Sequence, residues 1–273
     1  MSTAPFRTIE LSDPAISAEG LRFVTVKSAA LGQRADISFF VPPEAEGRMD
    51  VPLVLLLHGV YGSHWAWALK GGAHVTAARL IAQGLLPPVI LAMPSDGLWG
   101  DGSGYVAHPL QDFERWVLDE VPAAARQVCA GCTRGSPMLV AGLSMGGFGA
   151  LRLAGKHPRR ILAAAGHSSI TDAAELDSLI EESRGGWSEA PVDRTVLAAL
   201  LGASGPVPPL RFDCGLADPY LEGNRALHRA LDEAGIAHIY EESEGGHDWP
   251  YWSRAVADTL VFFGRVLSEE GSG

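Results

Sequence analysis

From residue 51 the chain reads "VPLVLLLHG", a nearly unbroken apolar run closed by a turn signal. That is the pattern of a strand buried on both faces. "PPVILAMPSDG", "PMLVAGLS" and "ILAAAGHSS" repeat it, and "LRFDCGLADP" and "AHIYEESEGGHDW" follow as strands running into loops. Between them lie stretches of helical periodicity: "HVTAARLIAQG", "PLQDFERWVLDEVPAAARQV" with an internal break near Pro122, "MGGFGALRLAGKHP", "YLEGNRALHRALDEAG" and the closing "YWSRAVADTLVFFGRVL". Ahead of all these, "LRFVTVKS" and "ADISFFV" are rich in β-branched and aromatic residues and read as two early strands. Strands alternating with helices predict right-handed crossovers and a mostly parallel sheet covered on both faces. The early pair adds antiparallel pairing at one edge.

The organisation this predicts is an N-terminal arm over residues 1–20 and one α/β domain over 21–273. A polar, partly helical stretch over 171–208 has no clear strand and reads as an insertion above the sheet. In such sheets, sites form where the carboxyl ends of strands meet loops. The polar residues there are His58, Ser95, Asp96, Ser144, His167, Ser168, Asp218 and His247.

Composition narrows the function. The chain has 273 residues, 47% of them hydrophobic and 19% charged, which suits a globular domain. A formal net charge of −11 repels phosphate backbones, so nucleic acid is not expected as a partner. No apolar run is long enough to span a bilayer, and the N-terminus lacks the basic and apolar regions of a signal peptide. No membrane partner is expected, and a cytoplasmic location follows by default. Cys129 and Cys132 have C-x-x-C spacing without a second half-site and read, with Cys214, as incidental thiols.

"GLSMG" fits G-x-S-x-G, the nucleophile-elbow pattern of α/β-hydrolases, and it falls where a strand passes into a helix. Ser144 is therefore a candidate nucleophile; its alternative reading is a helix N-cap. A serine hydroxyl needs a base. His247, in the loop after the last strand, stands where the chain order Ser, acid, His puts one. The orienting acid is expected at Asp218, beyond the end of a strand, rather than at Asp213 inside it or at Asp248 beside the histidine. Two N–H donors must face the developing oxyanion. Met145 supplies one, and the "HGVYG" loop the other, at Val60 with Tyr61 as the alternative. His58 is expected to shape that loop.

Aromatic residues crowd these loops, and Tyr61, Trp65, Trp99 and Trp249 are expected to line an acyl or aryl pocket. "SDGLWGDGSGYV" lacks a phosphate-loop lysine and reads as a pocket rim. No metal-ligand spacing stands out, so neither a metal nor a cofactor is expected.

Four blocks, "LLLHGVYGSHWAW", "GLSMGGFGALRLAGKHP", "CGLADPYLEGNRALHRALDEAGI" and "EGGHDWPYW", resemble the esterase-D-type branch of the α/β-hydrolase superfamily. That branch includes S-formylglutathione hydrolases, tributyrin-type esterases, feruloyl and acetylxylan esterases, and mycolyltransferases. The likeness runs from about residue 21 to 267, with "GLADPY" the loosest match. It implies an α/β-hydrolase fold, Ser144, Asp218 and His247 as catalytic residues, and Val60 and Met145 as oxyanion donors. The expected activity is hydrolysis of a small or aryl carboxylic ester through an acyl-enzyme. An acyltransferase using the same acyl-enzyme, and a non-catalytic binding protein on the same scaffold, are the alternatives.

Overall fold

The computed structural model describes residues 6–13, 15–17, 19–188 and 190–271. Nine strands form one sheet: β1 (Ile9–Leu11), β2 (Leu21–Lys27), β3 (Arg34–Phe40), β4 (Leu53–Leu57), β5 (Ile90–Pro94), β6 (Met138–Leu143), β7 (Ala163–His167), β8 (Leu210–Gly215) and β9 (Ile239–Ser243). Their order across the sheet is β1-β2-β3-β5-β4-β6-β7-β8-β9. The pairs from β1 through β3 to β5 are antiparallel and all later pairs are parallel. The two early strands thus lie at an antiparallel edge, as their pattern predicts. Part of the expected arm joins them: Ile9–Leu11 is the edge strand, paired with Val24–Val26. Three residues, mostly exposed, are too short to carry a periodicity signal.

Nine helices are described: α1 (Ala66–Leu69), α2 (Ala73–Ala82), α3 (Phe113–Arg115), α4 (Val121–Val128), α5 (Met145–Lys156), α6 (Pro191–Arg194), α7 (Val196–Leu201), α8 (Leu221–Glu233) and α9 (Trp249–Glu270). Strand residues alternate between two cores, as side chains on a pleated sheet must. Leu53, Leu55 and Leu57 face one core with Val121, Phe148, Leu151 and Leu227. Val54 and Leu56 face the other with Leu80, Val256, Leu260 and Phe263. Helices α4, α5 and α8 therefore cover one face, and α2 and α9 the other. This double burial explains the unbroken apolar runs.

The break expected at Pro122 takes a specific form. Residues Trp116–Glu120 make a π-turn between α3 and α4, with the Val121 N–H donating to the Trp116 carbonyl. Pro122 then stands in the first turn of α4, where its missing N–H costs little. The extra residue turns buried Glu120 toward the β2–β3 connection, where it accepts from Ser28 Oγ and the Ala29 and Ala30 N–H groups.

The stretch between β7 and β8 holds a short 3-10 segment, Ala173–Ser178, then α6 and α7. A buried charge cluster ties it to α5. Arg152 donates to Asp193 on α6 at 2.6 Å and to Glu114 at 2.8 Å, and Lys156 bridges the same two carboxylates. Burial opposes ionisation of Glu114, but hydrogen bonding to His157 and the charges of Arg152 and Lys156 outweigh it and hold its carboxyl well below the usual range. Glu114→Gln leaves buried positive charge poorly compensated and is expected to cost about 3 kcal/mol at neutral pH. A folded-state pKa depressed below the unfolded value gives stability that is present above the unfolded value and lost as pH falls through the folded one. The gap between wild type and variant in urea midpoint should therefore stand at pH 7 and close as acid protonates Glu114. A gap independent of pH would refute this account.

Candidate active site

The strand order makes a switch point at β4. The chain leaves it for β5 on one side, then crosses back to β6 on the other, so the carboxyl ends of β4 and β6 lie side by side. Register pairs Leu57 with Gly142, Leu143 with His167, and His167 with Asp213. The residues just past these pairs, His58, Ser144 and Ser168, come off the sheet at one level.

Ser144 joins β6 directly to α5 with φ 54° and ψ −119°, a conformation that L residues rarely adopt. The flanking glycines permit it. A Cβ on Gly142 would sit 2.2 Å from the Gly146 carbonyl oxygen, and one on Gly146 would sit 2.2 Å from that of Leu57. The hydroxyl makes no cap hydrogen bond to α5, so the N-cap reading does not describe it. Its partner is His247 Nε2, at 3.0 Å.

His247 lies between β9 and α9. Its Nδ1 is 3.0 Å from Asp218 Oδ2 and 3.2 Å from Oδ1. Asp218 lies between β8 and α8 and also accepts the Tyr220 N–H at 2.9 Å. Burial raises its pKa, but hydrogen bonds from His247, Ser168 and the Tyr220 N–H prevail and hold the carboxyl below its ordinary value. An ionised Asp218 accepts Nδ1–H and leaves the Nε2 lone pair facing the serine hydroxyl. Tyr220 and Trp252 flank the imidazole edge-on, with ring centroids 5.0 and 4.9 Å away.

The other two acids are engaged elsewhere. Asp213 is buried between His167 Nδ1 at 2.9 Å, the Tyr251 hydroxyl at 2.8 Å and the Arg211 guanidinium. Asp248 caps α9 through the Tyr251 N–H.

Among the candidate oxyanion donors, Met145 is the first residue of α5, and N–H groups in a first helical turn have no partner within the helix. In the β4–α1 loop the Tyr61 N–H already donates to the Asp101 carbonyl at 3.0 Å. The alternative donor, Tyr61, thus has its N–H engaged outside the cavity. Buried His58 accepts the Asp96 N–H at Nε2 and donates from Nδ1 to the Gly59 carbonyl at 2.8 Å. One ring nitrogen thus bonds within the β4–α1 loop and the other ties that loop to the one after β5.

A cavity of about 300 Å³ opens over Ser144 and His247, lined in part by Val60, Tyr61, Trp65, Leu179, Trp249 and Trp252. Three of the four expected pocket aromatics are there. Trp99 is not: Leu98, at φ 52°, lies between Gly97 and Gly100, both also at positive φ. Trp99 packs edge-on against His108 at 4.6 Å and Trp187 at 6.0 Å. The "SDGLWGDGSGYV" loop contributes no lining residue and supports the rim from behind, through Asp101 and Tyr61.

Sequence reasoning gave no role to three residues that the structure brings to the site. Ser168 bonds the acid and accepts from Trp252 Nε1 at 3.1 Å; its φ of 48° mirrors that of Ser144. Leu179, from the stretch between β7 and β8, closes one wall beneath a 2.6 Å bond from the Tyr61 hydroxyl to its carbonyl. Lys70 lies 5.6 Å from the Trp249 ring centre at the mouth. The double serine of "GHSS" was the available signal for the first; the others depend on long-range packing.

A family model described as "Putative esterase" matches residues 28–263. The chain belongs to that family. An acetyl esterase of Caldicellulosiruptor saccharolyticus is 26% identical over 236 residues, covering 80% of this chain and 85% of the relative. An esterase of Mycobacterium tuberculosis is also 26% identical, over 83% of this chain and 55% of its own length. Among solved structures, a ferulic acid esterase superposes with a TM-score of 0.77 at 22% identity, covering 95% of this chain and 99% of that one. An S-formylglutathione hydrolase of Staphylococcus aureus superposes with a TM-score of 0.74 at 16% identity, covering 93% and 98%. The esterase has the α/β-hydrolase fold. Among its described residues no helix is long and apolar enough to cross a membrane.

Proposed function

We propose that this esterase hydrolyses a small or aryl carboxylic ester through an acyl-enzyme on Ser144. The observation that carries the reading is the chain of hydrogen bonds from Ser144 Oγ through His247 to Asp218, supplied by three separate strand-end loops. Ser144 Oγ attacks the ester carbonyl carbon while His247 Nε2 takes its proton. The carbonyl oxygen becomes an oxyanion between the N–H groups of Val60 and Met145. The intermediate collapses, the C–O bond breaks, and the alcohol leaves with the proton from His247. Water then gives its proton to Nε2, attacks the acyl carbon and releases the acid, restoring Ser144. Asp218 keeps the imidazole in one tautomer and balances its charge while it holds the proton.

Substrate size follows from the cavity. Its aromatic walls suit a flat ring or a short acyl chain, since ring edges and faces give area with little entropy loss. The buried, unpaired state of Cys129, Cys132 and Cys214 suits a reducing compartment, in keeping with a cytoplasmic location.

A fluorophosphonate probe tests the nucleophile. One adduct is expected, on the peptide bearing Ser144, with parallel loss of turnover. Labelling elsewhere, or full activity after labelling, would remove Ser144 from its role. A panel of p-nitrophenyl esters of rising chain length, run beside aryl and sugar acetates, is expected to favour acetyl and aryl members. Added alcohols separate hydrolysis from acyl transfer by their products.

A further inference from the structure

At the opposite end of the sheet, three side chains converge that the proposed reaction does not use. His228 and Asp232 lie one turn apart on α8, and His238 immediately precedes β9. One ligand-type atom from each lies within 4.8 Å of the others. We propose that His228, Asp232 and His238 form a binding site for a borderline divalent cation of the zinc type, which clips α8 to the start of β9.

The arrangement of His238 is the first reason. Its Nδ1 donates to the Ile236 carbonyl at 2.8 Å, which fixes the tautomer and leaves Nε2 with a lone pair rather than a hydrogen. Metal-binding histidines are held in this way by a carbonyl or carboxylate on the other nitrogen. Its ring is stacked on Phe212 at 5.4 Å and 17°, with the side chain only 1% exposed. The ligand atom is therefore held in place before any ion arrives.

The second ligand faces it. His228 Nδ1 lies 2.7 Å from His238 Nε2, and the His228 ring is stacked on Tyr240 at 4.8 Å. With His238 Nε2 as acceptor, His228 is the donor in this bond. An ion entering between the two nitrogens displaces that proton to His228 Nε2, which already lies 3.5 Å from Asp232 Oδ2. The other carboxylate oxygen, Oδ1, lies 3.9 Å from His238 Nε2. Bonds of about 2.0 Å in a tetrahedral site put ligand atoms roughly 3.3 Å apart. The 2.7 and 3.9 Å separations bracket that figure, and the two surface side chains can make the adjustment.

Two imidazoles and one carboxylate select zinc, cobalt or nickel over calcium or magnesium, which prefer oxygen donors. Asp232 is 62% exposed, which provides an entry path and room for a water as fourth ligand. The consequence is structural. The ion closes the turn between α8, which begins three residues after Asp218, and β9, which leads toward His247. Five strand residues at about 3.3 Å each separate it from the ester site, so it bears on stability rather than on the reaction.

The experiment uses the full chain stripped with chelator and titrated with zinc alone in a calorimeter, then with cobalt in a visible spectrometer. One equivalent of zinc is expected to bind in the micromolar range or tighter and to raise Tm. Cobalt is expected to show the d–d bands of a four-coordinate site. His228→Ala should weaken zinc binding at least tenfold and abolish the cobalt bands, with Asp232→Asn intermediate. His228 carries the test because His238→Ala removes a ring packed on the core. Equal affinity in wild type and His228→Ala, no stoichiometric binding, or binding lost in His247→Ala but kept in His228→Ala would each overturn the site.

Discussion

Ser144→Ala is expected to lose about 10⁴-fold or more in kcat on p-nitrophenyl acetate and to keep its fold. The activity loss follows from the proposed chemistry: without Oγ no acyl-enzyme forms, and the remaining donors only assist attack by water. Retention of the fold follows from what the hydroxyl does not do. It caps no helix, and its bond is to His247 in a solvent-reachable cavity. Alanine has the same Cβ, so the φ of 54° costs much the same in both proteins. Tm should stay within a few degrees of wild type. A folded variant that retains a tenth of wild-type turnover would show that another group performs the attack.

The parts of this site that are legible in the sequence share a physical cause. Gly142 and Gly146 announce the turn because any side chain there would overlap a carbonyl oxygen of the opposing backbone. The apolar runs announce strands because both faces of β4 to β8 are covered. Asp218 and His247 could be paired from the sequence because strand ends in a parallel sheet converge, so residues 29 apart come within hydrogen-bond distance. What escaped depends on contacts that no local pattern encodes. The Tyr61 N–H chooses its partner because Asp101 arrives from a different loop. Trp99 leaves the pocket because a run of positive-φ residues turns it toward His108 and Trp187. The cluster at His228 joins a helical i, i+4 pair to a histidine across a turn, a spacing that is unremarkable until the two ring nitrogens are seen 2.7 Å apart.

Three aspartates near the site separate by what each carboxylate holds, and the Asn series reads this out. Asp218→Asn should cut kcat by roughly 10² to 10⁴-fold. An amide oriented to donate toward Nδ1 favours the imidazole tautomer with hydrogen on Nε2, so the ring no longer accepts the Ser144 proton. The charge that would balance the imidazolium is also gone. Asp248→Asn should stay within about tenfold of wild type and near its Tm, because asparagine caps a helix about as well as aspartate and the Tyr251 N–H keeps its acceptor. Asp213→Asn should show the opposite pattern, with kcat within about tenfold for the folded protein but a clear fall in Tm. It strips the buried Arg211 of its closest carboxylate and weakens the bonds to His167 and Tyr251; breaking such a buried pair typically costs about 3 to 5 kcal/mol. Measuring kcat and Tm for all three variants distinguishes an orienting acid from a cap and from a structural ion pair. If Asp213→Asn or Asp248→Asn is the catalytically crippled variant while Asp218→Asn turns over normally, Asp218 is not the acid that orients His247.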